Sequence, residues 1–469
     1  MKNTGSFPRS LLRSGGPEVR PVSCAMRAVF QWAALLVPAL SVLIAAAGCT
    51  EGEDGARLLR FVSWKPNQPE VWDEAIALFE RENPGVRVVR EIAPHSSTVY
   101  HDLLAQKLKN RDPSVDVFLM DVVWPHEFAS AGWALRLDEF FTPDRRAPFF
   151  EAAVEADTYR GGIYGVPLYI SGGLLYYRKD LLRRYGFEPP RTWPELVRQA
   201  EAIRAGEKDP DLYGYSAQFK QYEGLVCNMQ EIILSGGARL FDAASGRTFL
   251  SAPRAVEAVR FARDELVGRA APRGVLAYQE PESLDLFIQG GAVFHRNWPY
   301  AWEAANNPAR SKVAGKVGVA PLPAFEDGGA VAALGGWHMA VSSFSRNVEL
   351  AWRFVEFMTG ERMQKFFALR AGVPPARRSL YADPEVLERN PHFAALREVF
   401  ENASPRPRTP YYTALSHILQ KYFSSALSDR RSDIASLARR ADEETAALAA
   451  RYGYGGNSAG ASFSGSFPP

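Results

Sequence analysis

The sequence predicts an α/β fold arranged as two lobes. From residue 58 to residue 121, apolar strand-like runs alternate with amphipathic segments in the order β-α-β-α-β, which is typical of a parallel sheet with right-handed crossovers. Strand-like runs then recur as far as residue 343, and they are more numerous than one compact doubly wound domain needs. The chain has 469 residues, which is enough for two to three domains of ~100–200 residues each.

The first five elements follow from short-range pattern. Strands are predicted at 58–64, 86–91 and 115–121, and helices at 70–83 and 98–110. In the first helix Trp72, Ile76 and Phe79 recur at helical spacing, and an Asn-Pro-Gly sequence ends it. The third strand ends at Asp121, and open α/β sheets hold their ligands outside the carboxyl ends of strands, so Asp121 is a candidate binding residue.

The later elements continue the alternation. Strands are predicted at 164–171, 316–323 and 335–343, a turn and a short helix at 172–186, and helices from 192, at 251–268 and at 347–360. Thr192 is the expected N-cap of its helix, with Glu195 placed to reach back to it, and Ser251 is the candidate cap of the next long helix. The Gly/Ser-rich stretch 453–469 is predicted to be a disordered tail.

Composition and motifs exclude several classes of function. Lys and Arg total 55 and Asp and Glu total 53, so a net charge of +2 provides no basic field for nucleic acid. The three cysteines form no CxxC pair and no zinc-type spacing with histidine, and Cys227 is expected to be a buried thiol. No GxSxG, HExxH or P-loop motif occurs, so the sequence indicates no catalytic residue, metal or cofactor.

The N-terminal 49 residues are typical of an export signal. An almost wholly apolar run at 28–47 follows Arg27 and ends in Ala-Ala-Gly-Cys, with polar residues directly after it. A cysteine after Ala-Gly resembles a bacterial lipobox, which implies lipidation of Cys49, although Ala46 departs from the usual leucine. The alternative is an uncleaved membrane anchor of ~20 residues. Residues before Met26 resemble a signal poorly, so Met26 is the expected true start.

The stretch FHRNWPYAW at 294–302 fits neither strand nor helix periodicity. Trp298, Tyr300 and Trp302 lie two apart, but Pro299 cannot donate to a strand ladder. The stretch is either a buried aromatic cluster at a loop–helix junction or a surface that stacks on a flat ligand.

Six segments, in this order along the chain, resemble one family: DVFLMDVVWPHEF, YGVPLYISGGLLYYRKDLL, QYEGLVCNMQE, HRNWPYAW, KVGVAPLP and GGWHMAVSS. Together they resemble the substrate-binding lipoproteins of bacterial sugar ABC transporters (solute-binding protein family 1). Within that family the chain is most similar to the trehalose/maltose-binding branch, over about residues 61–422.

The resemblance implies a type II periplasmic-binding-protein fold, in which two α/β lobes joined by a hinge close on a sugar in the cleft between them. The expected lobes are 56–168 with 315–343, and 172–312 with 347–452. The closed form would dock on a two-subunit permease driven by a cytoplasmic ATPase, and no chemistry would be done on the sugar. The protein would be a monomer held by its lipid on the periplasmic or cell-surface side of the cytoplasmic membrane.

The resemblance also implies individual contacts. Trp298 and Tyr300 match stacking residues, and Asp121 matches a carboxylate that grips two hydroxyls, although capping the following helix is an alternative role. The remaining matches are the turn formed by Gly335, Gly336 and Trp337, the cleft arginine Arg406, and the weaker candidates Tyr169 and Tyr222. Trp302, His295 and His338 are expected to be packing residues.

Three positions depart from the trehalose/maltose-binding pattern. Gln68 replaces a Glu, Tyr100 replaces an Arg, and Ser171 replaces an Asp. These residues imply a changed set of hydroxyl contacts, with Tyr100 offering a stacking face in place of a guanidinium.

Two other functions stay open at this point. A glycosidase would use a carboxylate pair such as Asp121 with Glu223 or Glu280, about 5–9.5 Å apart. A binding protein for a non-sugar solute, such as a polyol phosphate or a peptide, is the other alternative.

Overall fold

The computed structural model describes residues 56–66, 68–94, 96–401 and 403–454. The export signal, Cys49 and nearly all of the predicted tail lie outside the described residues. Over the described part, no helix is both long and apolar enough to cross a bilayer.

Thirteen strands are present in the described residues. They are β1 Arg57–Trp64, β2 Val86–Ala93, β3 Val117–Asp121, β4 Thr158–Tyr159, β5 Gly162–Ile163, β6 Val166–Gly172, β7 Leu174–Arg178, β8 Tyr213–Ser216, β9 Phe241–Asp242, β10 Arg247–Thr248, β11 Ala292–Asn297, β12 Val317–Ala320 and β13 Leu334–Val341.

The α-helices are interleaved with these strands. They are α1 Pro69–Glu82, α2 Ser97–Lys109, α3 Pro125–Ser130, α4 Pro143–Arg146, α5 Glu151–Ala156, α6 Lys179–Arg184, α7 Trp193–Glu207, α8 Glu223–Ser235, α9 Pro253–Phe261, α10 Glu280–Ile288, α11 Ala301–Asn306, α12 Val348–Thr359, α13 Glu361–Ala371, α14 Pro384–Arg389, α15 Phe393–Glu401, α16 Tyr412–Ser428 and α17 Ile434–Arg451.

The first lobe is built on a five-stranded sheet in the order β2-β1-β3-β13-β6. β1 runs parallel to β2 and β3, as the β-α-β-α-β pattern predicts, and β13 runs antiparallel to β3 and β6. Residues Val117 to Met120 of β3 are all buried, which explains the continuous apolar run, since a central strand is covered on both faces. At the end of β3, Asp121 is paired with Trp337 of β13.

The second lobe is built on a four-stranded sheet in the order β12-β7-β11-β8. β7 is antiparallel to β11 and β12, and β8 is parallel to β11. Helices α7, α8, α9, α16 and α17 pack on one face of this sheet in a core of their own. The other face, with α10 and α11, joins the core of the first lobe.

The expected lobe boundaries are wrong in two places. β12 pairs with β7, so the segment from Val317 to Ala320 belongs to the second lobe rather than the first. Helices α12 to α15 pack in the core of the first lobe rather than the second. In both cases the segment belongs to one lobe or the other because of contacts with residues far away in sequence. The local sequence pattern contains no information about these contacts.

In the part of the chain that the structure describes, the backbone passes between the two large sheets three times, and these segments are called the crossings. The first crossing is Gly173, between β6 and β7; the second is the segment 321–333, between β12 and β13; the third is the segment 403–411, which leads into α16. The second and third crossings lie side by side, because Ser404 N donates to Ala332 O and Leu334 N donates to Ser404 O, both at 2.8 Å.

Two local predictions also need correction. Residues 174–178, expected as a turn into a helix, form strand β7, because they pair with β11 and β12. Ser251 does not cap the following helix, which begins at Pro253 with Ala252 in the cap position and becomes a π-helix over Ala262–Ala270. The Thr192 cap is confirmed: its side chain accepts from Glu195 N, while Glu195 accepts from Arg191 N rather than Thr192 N.

Candidate functional site: a cavity between the lobes

A cavity of about 630 Å³ lies between the lobes, at the carboxyl ends of β3 and β11. Its volume falls in the range of small-molecule sites, which are ~300–1,000 Å³. All but one of the candidate ligand-binding residues line it: Gln68, Asp121, Tyr169, Ser171, Tyr222, Trp298, Tyr300, Gly335, Gly336, Trp337 and Arg406. Segments far apart in sequence therefore converge on one space.

Tyr100 is the exception, and the prediction that it offers a stacking face is wrong. Its side chain is fully buried, and its hydroxyl donates to the carbonyls of Val62 and Leu119 at 3.1 and 2.9 Å. The ring packs behind Trp337, with ring centres 5.7 Å apart. Tyr100 thus supports a cavity residue from the protein interior.

Arg406 joins the two lobes at one end of the cavity. Its Nη2 donates to Asp121 Oδ1 at 2.9 Å in the first lobe, and its Nη1 donates to Glu223 Oε1 at 2.6 Å in the second. Glu223 also accepts from Tyr412 and Ser416. Burial and the nearby Glu223 raise the pKa of Asp121, against the lowering effect of Arg406.

Asp121 does not cap the helix that follows it. Helix α3 begins at Pro125 with Trp124 in the cap position. The carboxylate instead accepts the backbone N–H of Val123 at 3.3 Å, which stabilises the turn after β3. Its orientation is therefore fixed by this turn and by Arg406.

Trp298 is held by polar contacts around its indole ring. Its Nε1 donates to Glu280 Oε1 at 3.2 Å, and Glu280 Oε2 accepts from the Tyr222 hydroxyl at 2.7 Å. The guanidinium carbon of Arg296 lies 4.1 Å from the ring centre. A Cβ at Gly335 would meet the ring edge at 3.0 Å, so glycine allows the backbone of the other lobe to approach Trp298 closely.

Trp337 stands in a cluster of aromatic rings. The Trp64 ring centre is 5.4 Å away, and Trp124 meets it edge-on at 5.5 Å. The preceding Gly336 has φ +140°, where a Cβ would lie 2.5 Å from the Tyr169 carbonyl oxygen, so a side chain there is excluded. A register shift between Trp337 and His338 follows at once.

The segment 294–302 divides at Asn297 between a buried strand and a cavity wall. Residues Phe294 to Asn297 lie in β11 and are all buried. Trp298 and Tyr300 line the cavity, whereas Trp302 in α11 stacks on His392 with ring centres 4.6 Å apart. Part of this segment therefore faces the cavity and part of it packs in the core.

Gln68 and Ser171 are two of the three positions at which the sequence departs from the trehalose/maltose-binding pattern. Gln68 Nε2 donates to Glu303 Oε2 at 3.0 Å, which joins the first lobe to α11 of the second. Ser171 is paired with Gly335 across β6 and β13.

Several cavity residues were not identified as ligand contacts from the sequence, among them Trp64, Glu223, Glu280, Asp285, Glu303 and Arg310. The charged residues of the lining are Asp121, Glu223, Glu280, Asp285 and Glu303 against Arg310 and Arg406. This excess of carboxylates disfavours an anionic ligand. Among the described residues, no cluster of three or more metal-ligating side chains is present.

Known proteins are similar to this chain over most of its length. A family model described as bacterial extracellular solute-binding protein matches residues 65–365. A probable ABC transporter-binding protein of Deinococcus radiodurans is 38% identical over 339 residues, covering 71% of this chain and 80% of that protein. A maltotriose-binding protein of Pyrococcus abyssi is 25% identical over 404 residues, covering 84% of this chain and 83% of that protein.

The solved structure of maltose-bound MalE3 from T. maritima is similar over its whole length. Its TM-score is 0.78 and its sequence identity 36%, with 83% of this chain and 99% of that chain covered.

Proposed function

Since this chain belongs to the bacterial extracellular solute-binding proteins, we propose that it captures a carbohydrate outside the cytoplasm and delivers it to the permease of an ABC importer. The proposed ligand is a disaccharide or small oligosaccharide, of the trehalose- or maltose-like glucoside type. The observation that carries this proposal is the interlobe cavity, in which Trp298 and Trp337 stand beside carboxylate, amide and hydroxyl groups.

This combination of groups suits the chemistry of a sugar. A pyranose ring has a flat apolar C–H face and a rim of hydroxyls. An aromatic ring stacks on the face, and charged or polar side chains bind the rim. The acidic lining accepts hydrogen bonds from uncharged hydroxyls and repels sugar phosphates, which makes a phosphorylated ligand the weaker candidate. The maltose-bound relative, at 36% identity, supports the same ligand class.

The partners proposed are a two-subunit membrane permease and its cytoplasmic ATPase, which the closed, sugar-loaded monomer would engage. Cavity residues come from both lobes, so ligand binding is expected to close the hinge. Small-angle scattering should show a smaller radius of gyration at saturating sugar, and light scattering should show one chain per particle. An unchanged radius at saturation would contradict the closure.

A hydrolase on the same scaffold is the alternative function. Asp121 and Glu223 both form ion pairs with Arg406, so a hydrolase using this pair would need two carboxyls that one guanidinium already holds. Incubation with disaccharides separates the two functions, because an enzyme releases monosaccharides and a binding protein returns the sugar intact.

A thermal-shift screen followed by calorimetry tests the ligand class. A sugar at 100 times its dissociation constant should add about 2.7 kcal/mol to the free energy of unfolding. Trehalose and maltose should not both be tight ligands. Gln68 and Ser171 replace charged residues that hydrogen-bond to sugar hydroxyls in the trehalose/maltose-binding proteins that the sequence resembles. Equal tight binding of both sugars would show that these replacements are silent. Binding of no sugar in the panel would overturn the proposed function.

A further inference from the structure

A buried ion pair lies directly beneath the ring of Trp298. Arg296 and Glu231 are each about 1% exposed or less, and they form a fork of two bonds, Nε to Oε2 at 2.9 Å and Nη2 to Oε1 at 2.5 Å. Arg296 Nη1 also donates to Gln218 Oε1 at 3.1 Å. Two paired and fully hydrogen-bonded groups of this kind have one favourable geometry, so the guanidinium under the ring has a fixed position.

The same glutamate reaches the first and second crossings. Its Oε1 accepts the backbone N–H of Ala333 at 3.1 Å. At Gly173 an added Cβ would lie 2.7 Å from Arg296 Nη2 and closer still to Glu231 Oε1. The first crossing therefore runs against the ion pair with no room for a side chain.

The neighbouring residue of α8 holds the third crossing. Gln230 Nε2 lies 3.2 Å from both the Ser404 and the Pro405 carbonyl oxygen, and it donates to them. Two consecutive residues of helix α8, Gln230 and Glu231, thus reach all three crossings between them. Glu231 also binds the guanidinium of Arg296 that lies against Trp298.

We propose that Arg296 and Glu231 are positioning residues that couple the ring of Trp298 to the hinge between the lobes. This inference rests on the proposed function, in which Trp298 stacks on the sugar. A cation against one face of an indole is attracted to it, which leaves the opposite face for the ligand. Because the ion pair joins that ring to the crossings, the ring position and the geometry of the hinge change together.

Two variants are expected to weaken the coupling between the Trp298 ring and the crossings, one by changing the ion pair and one by changing a crossing. Glu231→Gln keeps the shape of the side chain but removes the charge that binds Arg296 in a fork. Gly173→Ala keeps both charges and pushes on the pair from the first crossing, which also provides a test if Glu231→Gln fails to fold. Both should weaken maltose binding by about two- to thirtyfold, the size of effect seen for residues that couple two sites.

The matched controls use the same chemical changes elsewhere. Asp442→Asn removes a charge that accepts from Thr248, Leu250 and Ser251, and none of these four residues lines the cavity. Gly329→Ala adds a Cβ in the second crossing, where no atom lies within 4 Å of it. These controls should leave maltose affinity unchanged even where Asp442→Asn lowers the melting temperature.

Hydrogen exchange of the sugar-free protein provides the second measurement, beside calorimetry with maltose. In Glu231→Gln and Gly173→Ala, the backbone amides of residues 332–334, 403 and 404 should exchange faster, whereas in Asp442→Asn they should not. If both test variants keep wild-type affinity, or if exchange at these amides stays at the wild-type rate, the coupling is overturned. If the wild type itself fails to bind maltose or any other sugar, the proposed function fails instead, and the exchange data still decide whether the ion pair holds the crossings.

Discussion

The indole nitrogen of Trp298 donates a 3.2 Å hydrogen bond to Glu280, while the guanidinium of Arg296 lies 4.1 Å from the centre of the same ring. The first contact fixes the rotation of the ring in its plane, and the second covers one of its faces. A ring held in this way loses little side-chain entropy when a ligand stacks on it. For the proposed sugar stack, these contacts would make Trp298 a preorganised platform.

Replacing Trp298 with alanine should weaken sugar binding tenfold or more with little change in stability. The stack contributes about 0.5–1.5 kcal/mol beyond area burial, and the lost apolar contact adds about 25 cal/mol per Å². Arg296 stays paired with Glu231 in the variant, so no buried charge is left alone. Calorimetry and a denaturant titration measure the two quantities. A variant that unfolds, with binding kept in the remaining folded fraction, would show that Trp298 is a core residue.

Tyr100→Phe should lower the stability of the protein and leave sugar binding nearly unchanged, which is the reverse of the result expected for Trp298→Ala. The variant loses the hydroxyl that bonds to the Val62 and Leu119 carbonyls, which should lower the free energy of unfolding by about 1–2 kcal/mol. Sugar affinity should change by less than about twofold, because the ring behind Trp337 is kept. A tenfold loss of affinity at unchanged stability would mean that the hydroxyl contacts the ligand.

The first sheet could be predicted from sequence because its strands and helices each carry a local signal. Strand β7 could not, since residues 174–178 run directly into the helix α6 and form a strand only by pairing with β11 and β12. The placement of α12 to α15 failed for the same reason: their amphipathic faces do not indicate which sheet they cover.

The cavity was predicted more completely on its aromatic side than on its acidic side. Trp298 and Trp337 lie in recognisable segments, and both line the cavity. Glu223 and Glu280 were considered only as carboxylates of a possible glycosidase pair, because each stands at the start of a helix, where an acidic residue commonly stabilises the helix end. Tyr100 was misplaced because aligning it with an arginine says nothing about the two carbonyls that its hydroxyl bonds.

Cys49→Ala should block anchoring of the protein to the membrane. The residue lies outside the described part of the chain, and the prediction rests on the Ala-Ala-Gly-Cys sequence after the apolar run. We expect the wild type to fractionate with membranes and to carry a lipid on its first mature residue. The variant should accumulate as an unprocessed precursor. Equal mature mass and equal membrane fractionation of the two proteins would contradict lipidation.

The stability of the fold should decrease in mild acid because full or partial burial lowers the pKa of several histidines. Burial lowers the pKa of His295 to about 3, of His392 to about 3 and of His126 to about 4. In the unfolded chain their pKa is about 6.5, so between these values the unfolded state binds more protons. Each neutral histidine therefore contributes fully to the free energy of unfolding above about pH 6.5. This contribution is lost as the pH falls towards the pKa of that histidine in the folded protein.

His392→Phe tests this at the residue with the clearest surroundings. Its imidazole packs against Trp302 and Phe393, and neither ring nitrogen has a hydrogen-bond partner among the described residues. Phenylalanine removes two unpaired polar atoms, so the variant should be more stable than the wild type by about 1 kcal/mol at pH 7.5.

The stability advantage of His392→Phe should grow by about 2 kcal/mol at pH 5, because the wild type must keep its histidine unprotonated to fold. Denaturant titrations of the variant and the wild type at the two pH values measure both numbers. If the stability advantage of the variant is the same at pH 5 and pH 7.5, the pKa of His392 is not lowered by folding, and the prediction is wrong.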